Sequence, residues 1–412
     1  MPIGNVPFPS VADTVEKTFL AASRRLIGQA NGKVALALSG GGDSTALLHL
    51  AVTVSPDIRS KCIAYTVDHG LRPEARSEAE AVSALCERFG VPHKILCWTP
   101  GANKVSQADA RRARHALLAD AARADGAHLI LTGHTCDDDA ETFLIRARAG
   151  SGWYGLAGIQ PLSLSPVWPE GREVLIGRPL LSISREALRD HLKRSALTWI
   201  DDPSNDNPRF ERIRMRHLLA EAPHLAGRIF AIQKNLKQLR AAEDRLLALW
   251  FETNVAPMDD GTLRLDDDLP MGETGVRALS WLCQLASGRD RPPRGDELHR
   301  LVVRFREPDF AGATLGGARF WKRSHSWWAG RDPGDVPNPT TVLENPIWDG
   351  RFEVAQPFIE LSAIKELQPN ARAAVPQKDG MRLAASCLIH ERLQLVQRVL
   401  KIGSIPHLTS NS

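Results

Sequence analysis

Three groups of residues in this chain have the types and spacings that chemistry needs. The first is Ser39-Gly40-Gly41-Gly42-Asp43-Ser44, set between an alternating apolar run, Val34 to Leu38, and an apolar helical run, Thr45 to Leu50. Consecutive glycines let the backbone turn with positive φ and come close to a ligand. A helix opening just after them aims its free N–H groups and the positive end of its dipole at the same spot. Two serine hydroxyls add donors, and the sum is a site for phosphate. It matches neither of two common phosphate loops. Walker A requires Lys-Ser/Thr where Asp43-Ser44 stands, and G-x-G-x-x-G fails because Gly40 to Gly42 are followed by Asp-Ser-Thr. An acid inside a phosphate loop is costly unless it holds a metal or a reacting group.

The second group is Thr132-Gly133-His134-Thr135-Cys136-Asp137-Asp138-Asp139-Ala140-Glu141-Thr142. Thr135 is placed to cap a helix whose first turn carries acids, as the dipole prefers. Asp138 and Glu141 share a face, and Asp137 and Glu141 are also neighbours. Helix-end electrostatics explains one or two acids. Three in a row repel one another and ask for a cationic partner: a metal, an ammonium group or arginines. The third group is basic. Arg111 and Arg114 face the same way on one helix, where paired guanidiniums either fork onto phosphate oxygens or form an exposed basic face. Arg212 and Arg216 share a second face.

The elements that position these groups follow from periodicity. Residues 11–31 read as an amphipathic helix. Strands are expected at Val34 to Leu38, Cys62 to Val67, His93 to Trp98 and Leu129 to Thr132, with helices at Glu74 to Phe89 and Gln107 to Gly126. Strands alternating with helices predict a doubly wound parallel α/β sheet, with ligands at the carboxyl ends of its strands. Ala149 to Gly158 reads as a flexible glycine-rich loop and Asp201 to Asp206 as a loop of turn formers. Helices follow at Leu225 to Trp250, Val276 to Ser287 and Glu297 to Arg306. A hairpin is expected over Leu315 to Trp321 and Ser326 to Gly330, then an irregular Asp332 to Pro346, a strand at Arg351 to Ile359 and a disordered tail from His407. The predicted domains are 1–223, catalytic; 224–310, helical; and 311–412, β-containing.

Composition fits this picture. With 412 residues, 43% apolar and 24% charged, the chain has ample core for two or three domains. The N-terminus lacks the basic and apolar regions of a signal peptide, and no run approaches a membrane span, so a cytoplasmic protein with no membrane partner is expected. Six scattered cysteines form no CxxC pair, which argues against a disulfide framework or a zinc site. Net charge is only +4, but Asp201–Arg240 carries eight Arg/Lys against five Asp/Glu and Trp281–Arg331 ten against five. Such blocks are either solvated surface or a patterned face for a phosphate backbone.

The SGGGDS loop resembles the SGGxDS loop of the PP-loop family, the N-type ATP pyrophosphatases. SGGGDS, DHGLR, QADARRAR, TGHTCDDDAET, AGSGWYGLAGI, RPLL and DDPSNDNPRFERIRMR also occur in the order seen in the tRNA(Ile)-lysidine synthetase family, over roughly residues 30–225. That resemblance implies ATP with Mg2+ as cofactors and two further partners, free L-lysine and an isoleucine tRNA with a CAU anticodon; a homodimer is left open. It implies that Ser39, Gly40, Gly41, Gly42 and Ser44 cradle ATP and that Asp43 positions magnesium or the cytosine ring. Asp138 and Glu141 would bind the ammonium groups of lysine. Arg111, Arg114 and Arg212 would neutralise phosphate charge, and His134 would line the site. The sequence departs from the family pattern at Ala149, where an Arg usually stands, at Asp139 (Gln), at His115 (Tyr) and at Ile213 (Asn). The rival functions are a tRNA thiolase, for which Cys136 would have to carry sulfur, and a non-catalytic ATP-sensing or RNA-binding protein.

Overall fold

In the computed structural model, the apolar run after Gly32 becomes an inner strand of a six-stranded sheet. The structure describes residues 15–28, 32–70, 74–99, 106–201, 209–336, 341–342, 347–354, 360–363, 376–378, 381–382 and 385–403. The turn-former loop at 202–206, the leucine and arginine of DHGLR, and the tail lie outside them.

In chain order the elements around the sheet are α1 (Val15–Ile27), β1 (Lys33–Ala37), α2 (Gly42–Thr53), α3 (Pro56–Arg59), β2 (Cys62–Asp68), α4 (Glu74–Arg88), β3 (His93–Cys97), α5 (Gln107–Ala124), β4 (Ala127–Leu131), α6 (Cys136–Arg148), α7 (Trp153–Leu156), β5 (Leu162–Leu164), β6 (Leu175–Gly177), α8 (Arg185–Arg194), α9 (Glu211–Glu221) and α10 (Pro223–Asn254). The strand order is β3-β2-β1-β4-β6-β5, parallel except for the edge strand β5. The α/β class and the four expected strands are therefore present. Strands β5 and β6 are not visible in the sequence pattern, because three residues are too few to show a period of two.

Both faces of the inner strands β1, β2 and β4 are buried, as a parallel sheet requires. Ala35, Ile63, Tyr65 and Ile130 pack in one cluster with Leu118, Ala119 and Ala122 of α5. The alternate residues Val34, Leu36, Ala64 and Leu129 are fully buried on the other face. Helix α2 is buried almost all round, from Ser44 to Val52, which fixes its N-terminus against the end of β1. The chain leaves β1 toward β2 on one side, while β4 pairs with β1 on the other. The loops after β1 and β4 thus meet at the point where strand order reverses, the usual place for a ligand.

The chain divides into two compact units, Met1–Ser165 with Glu173–Arg240, and Pro166–Arg172 with Ala241–Ser412. The second contains β7 (Val255–Pro257), β8 (Leu263–Leu265), α11 (Gly272–Ser287), α12 (Gly295–Arg304), β9 (Gly312–Leu315), β10 (Ala318–Arg323) and β11 (Ser326–Arg331), in a sheet ordered β7-β8-β11-β10-β9. The expected hairpin is β10–β11. The segment read as mostly helical also supplies β7 and β8, again strands of only three residues. Phe305, Phe310, Phe320 and Trp327 form an aromatic core beside this sheet. Asp349 pairs with the buried Arg331 and Arg351. Short strand pieces and α13 (Ile389–Gly403) complete the unit. Among the described residues no helix is long and apolar enough to cross a membrane.

Candidate functional site

The loop after β1 makes its turn at Gly40, where φ is +81°. Gly41 follows in extended backbone as the N-cap of α2 and offers no side-chain acceptor to the helix's first N–H groups. The helix begins at Gly42, three residues earlier than the apolar run suggests. Asp43 and Ser44 consequently lie in its first turn, where an acid suits the dipole. Hydroxyls stitch the loop together. Ser39 N donates to Ser44 Oγ at 3.2 Å, Ser44 Oγ donates to Gly41 O at 2.9 Å, and Thr45 Oγ1 donates to Gly40 O at 3.3 Å. Ile200 N braces the turn by donating to Gly40 O at 3.0 Å.

A side chain at Gly40 would meet Ile200 Cδ1 at 2.7 Å and Val82 Cγ2 at 3.1 Å. Gly40→Ala is therefore expected to cost about 1–2 kcal/mol from left-handed backbone strain alone and to weaken nucleotide binding by moving the loop donors. Thermal unfolding with and without ATP tests this; an unchanged midpoint and unchanged ATP response would contradict it.

The loop after β4 packs directly on this turn. A Cβ at Gly133 would lie 3.1 Å from the Asp43 carbonyl carbon and oxygen and 3.2 Å from Ser44 N. Beyond it, Thr135 caps α6 in the expected way: Thr135 N and Oγ1 donate to Asp138 Oδ2 at 2.7 and 3.0 Å. The other Asp138 oxygen and Glu141 face arginines. Arg185 Nη2 donates to Asp138 Oδ1 at 3.0 Å, its Nη1 to Glu141 Oε1 at 3.3 Å and its Nε to Asp43 Oδ2 at 3.2 Å. Arg212 Nε reaches Glu141 Oε2 at 2.8 Å and Arg216 Nε reaches Glu141 Oε1 at 2.9 Å. Of the cationic partners open to the acids, arginines fill the place in this structure.

These contacts set the charges. Burial works against ionisation of Asp138, but Arg185, Arg212 and the Thr135 N–H outweigh it and hold its carboxyl below the usual range. Burial dominates at Asp43 and pushes it up to about 6; Arg185 opposes the rise, and Asp138 and Asp137 add to it. Burial likewise works against the Arg185 cation, but its three carboxylates keep it firmly charged.

Around His115 and His134 is a group of cations of a different kind. Arg111 and Arg114 of α5 are both lowered from the ordinary arginine value by burial, Arg111 also by Arg212 and Arg114 also by Arg111. Arg178, after β6, is lowered to about 10 by burial and then by Arg111. No described carboxylate ion-pairs with Arg111 or Arg114. Burial and these neighbours push His115 down to about 3, and burial with Arg178 pushes His134 to about 4. His134 is thus a neutral, hydrogen-bonded loop histidine, 2.9 Å from Thr132 Oγ1. Both histidines take up protons more readily in the unfolded chain, near 6.5, than when folded. Their share of stability is therefore present above about 6.5 and is lost as pH falls. His115→Asn is expected to flatten the decline in urea midpoint between pH 6.5 and 4 relative to the parent; parallel curves would refute it.

Asp139 is a brace. It pairs with Lys237 of α10 and accepts Ile159 N. The glycine-rich segment read as flexible contains α7 and is pinned: Arg146 Nη1 donates to Gly155 O at 2.7 Å and Gly158 O at 3.0 Å. Arg148, next to Ala149, pairs with Glu211. Ile213 is buried. The thiol of Cys136 is pushed up to about 12 by burial and Asp137, so it is no ready sulfur nucleophile. Among the described residues no group of three His, Cys, Asp or Glu side chains could hold a metal.

The fold thus brings Asp43, Asp138 and Glu141 together on Arg185, with Arg212 on the acids, His134 near Asp138 and Arg212, and Arg111 and Arg114 close to His115. The sequence reading names neither Arg185 nor Arg178 as a site residue, and it places Arg216 only on the face of Arg212. Arg178 opens the RPLL motif and Arg185 follows it, but nothing local marks either as facing acids or phosphate.

A glycine turn at a parallel-sheet switch point, with bare helix N–H groups and guanidiniums around it, defines a PP-loop nucleotide-binding domain. The PP-loop domain family matches residues 12–222. The tRNA(Ile)-lysidine synthase of Hyphomonas neptunium is 50% identical over 70% of this chain and 79% of its own length. Those of Mesorhizobium japonicum and Caulobacter vibrioides are 38% and 34% identical, over 79% and 89% of this chain and 72% and 84% of theirs. The chain belongs to the tRNA(Ile)-lysidine synthase family of PP-loop enzymes.

Proposed function

We propose that this enzyme uses ATP to adenylate the C2 oxygen of the wobble cytidine in an isoleucine tRNA with a CAU anticodon. Pyrophosphate leaves, the side-chain amine of free lysine attacks C2, and AMP departs, giving lysidine. The observation that carries this reading is the juxtaposition, through one guanidinium, of a phosphate loop and a buried acid pair. Arg185 touches Asp43 of the first and Asp138 and Glu141 of the second.

In the first step the N–H groups opening α2, with Ser39 and Ser44, hold the triphosphate. Arg111, Arg114 and Arg212 stabilise the charge that grows on the departing pyrophosphate. In the second step Asp138 and Glu141 hold the ammonium of lysine. A neighbouring carboxylate takes the proton released as the amine attacks. Magnesium fits this donor set in one way. Asp43 is a single carboxylate with Oδ2 on Arg185, which suits an ion held mainly by phosphate oxygens and water rather than by a protein cage. Bound there, it would supply charge neutralisation for the phosphates.

The basic block at 281–331, with Arg319, Lys322 and Arg323 exposed on β10, is proposed to hold the tRNA body. The substrates imply a cytoplasmic enzyme. The test is incubation with ATP, labelled lysine and a CAU-anticodon transcript at rising salt. Label should enter the RNA, and tRNA affinity should fall with salt as counterions are released. No label would remove the function, and salt-independent binding would remove the basic surface.

A further inference from the structure

The acids assigned to lysine are not free. Asp138 Oδ2 is committed to Thr135 N and Oγ1, and Asp138 Oδ1 accepts Arg185. Glu141 Oε1 accepts Arg185 and Arg216, and Oε2 accepts Arg212. All four carboxylate oxygens have partners, and three face guanidiniums. The two side chains are 13% and 1% exposed. An ammonium group entering here meets no open carboxylate edge and is repelled by cations already in place.

A buried acid pair cannot stay bare without its ligand, because an uncompensated buried charge is strongly unfavourable. Something must neutralise it in the resting protein and yield when substrate arrives. Three arginines touch it. Arg212 and Arg216 approach with side chains 38% and 34% exposed, whereas Arg185 is 15% exposed and alone spans Asp43, Asp138 and Glu141. Arg185 also stands at the first position of α8, with its backbone N donating to Asp137 Oδ2 at 2.8 Å. Its backbone is therefore anchored while its side chain bridges the acids.

We propose that Arg185 is the stand-in for the substrate's ammonium: a specificity-determining counter-ion that occupies the lysine-binding acids in the resting enzyme and competes with lysine for them. The proposal rests on the lysine-ligase reading above. Its contact with Asp43 gives the displaced guanidinium somewhere to go. It already borders the phosphate loop, so a bound nucleotide offers it replacement anions. Lysine therefore binds best after ATP, which matches the order in which the two steps must occur.

The sign of one measurement separates this role from a purely structural one. A brace that shapes the acid pair would, when removed, weaken lysine binding. A competitor, when removed, strengthens it. Arg185→Gln in the full chain, assayed with ATP, labelled lysine and CAU-anticodon tRNA, is expected to lower KM for lysine on the order of threefold or more without lowering KM for ATP. Lysine should also raise its thermal midpoint more than it raises the parent's. Arg185→Lys keeps a charge but cannot reach three carboxylates at once. It should shift KM for lysine the same way by less, and it carries the test if the Gln variant does not fold. A KM for lysine that rises or stays unchanged in the folded variants overturns the proposal while leaving the function intact. A parent enzyme that moves no lysine onto tRNA overturns both.

Discussion

Arg114→Ala is expected to slow adenylation on the order of 10²–10³-fold, the usual loss when one fixed donor to a developing negative charge is removed, while leaving the protein at least as stable as the parent. The two halves of this expectation come from the same fact. Arg114 is partly buried beside Arg111, and burial followed by that neighbour lowers it from the ordinary arginine value. A cation held among cations contributes nothing to folding and is retained for the anion it receives. ATP–pyrophosphate exchange measures the first half and the urea midpoint the second. A variant that unfolds more easily yet still exchanges pyrophosphate at the parental rate would make Arg114 a structural residue.

The opposite pattern is expected for Glu141→Gln, which keeps the shape of the side chain and removes its charge. Glu141 is 1% exposed and receives Arg185, Arg212 and Arg216. Without it, three guanidiniums converge with only Asp138 and Asp43 to offset them. Removing one partner of a buried ion pair costs about 3–5 kcal/mol. The lower end applies here, because Arg212 and Arg216 reach solvent and are partly screened. Lysine transfer should be nearly abolished, whereas ATP–pyrophosphate exchange should survive in whatever fraction remains folded. A stable Glu141→Gln protein with an unchanged KM for lysine would show that the acid does not hold substrate. Together the two substitutions separate the phosphate half of the site, where charge is left uncompensated, from the ammonium half, where it is compensated three times over.

How much of this was legible beforehand depends on sequence separation. The Thr135–Asp138 capping box needs only a threonine three residues before an acid, and it forms as expected. Arg212 and Arg216, four apart on α9, reach the same carboxylate, as their spacing predicts. Helix α2 starts three residues before the apolar run, because Gly42, Asp43 and Ser44 carry no apolar period although an acid in the first turn suits the dipole. The glycine-rich segment at 149–158 read as loose because its anchors, Arg146 on α6 and the Asp139 contact with Ile159, are not visible as a local pattern.

The sequence by itself determined the parallel sheet, the phosphate loop after its first strand and the acidic helix after its fourth, since each follows from hydrophobic period, glycine freedom and capping within a dozen residues. Only the tertiary structure decided what neutralises those acids. Arg185 lies 142 residues from Asp43 and 44 from Glu141 along the chain, and its contacts arise because α8 packs against α2 while the ends of β1 and β4 are adjacent. Electrostatic partnership acts through space over a few ångströms, and a linear pattern records only the part of it that one helix turn spans.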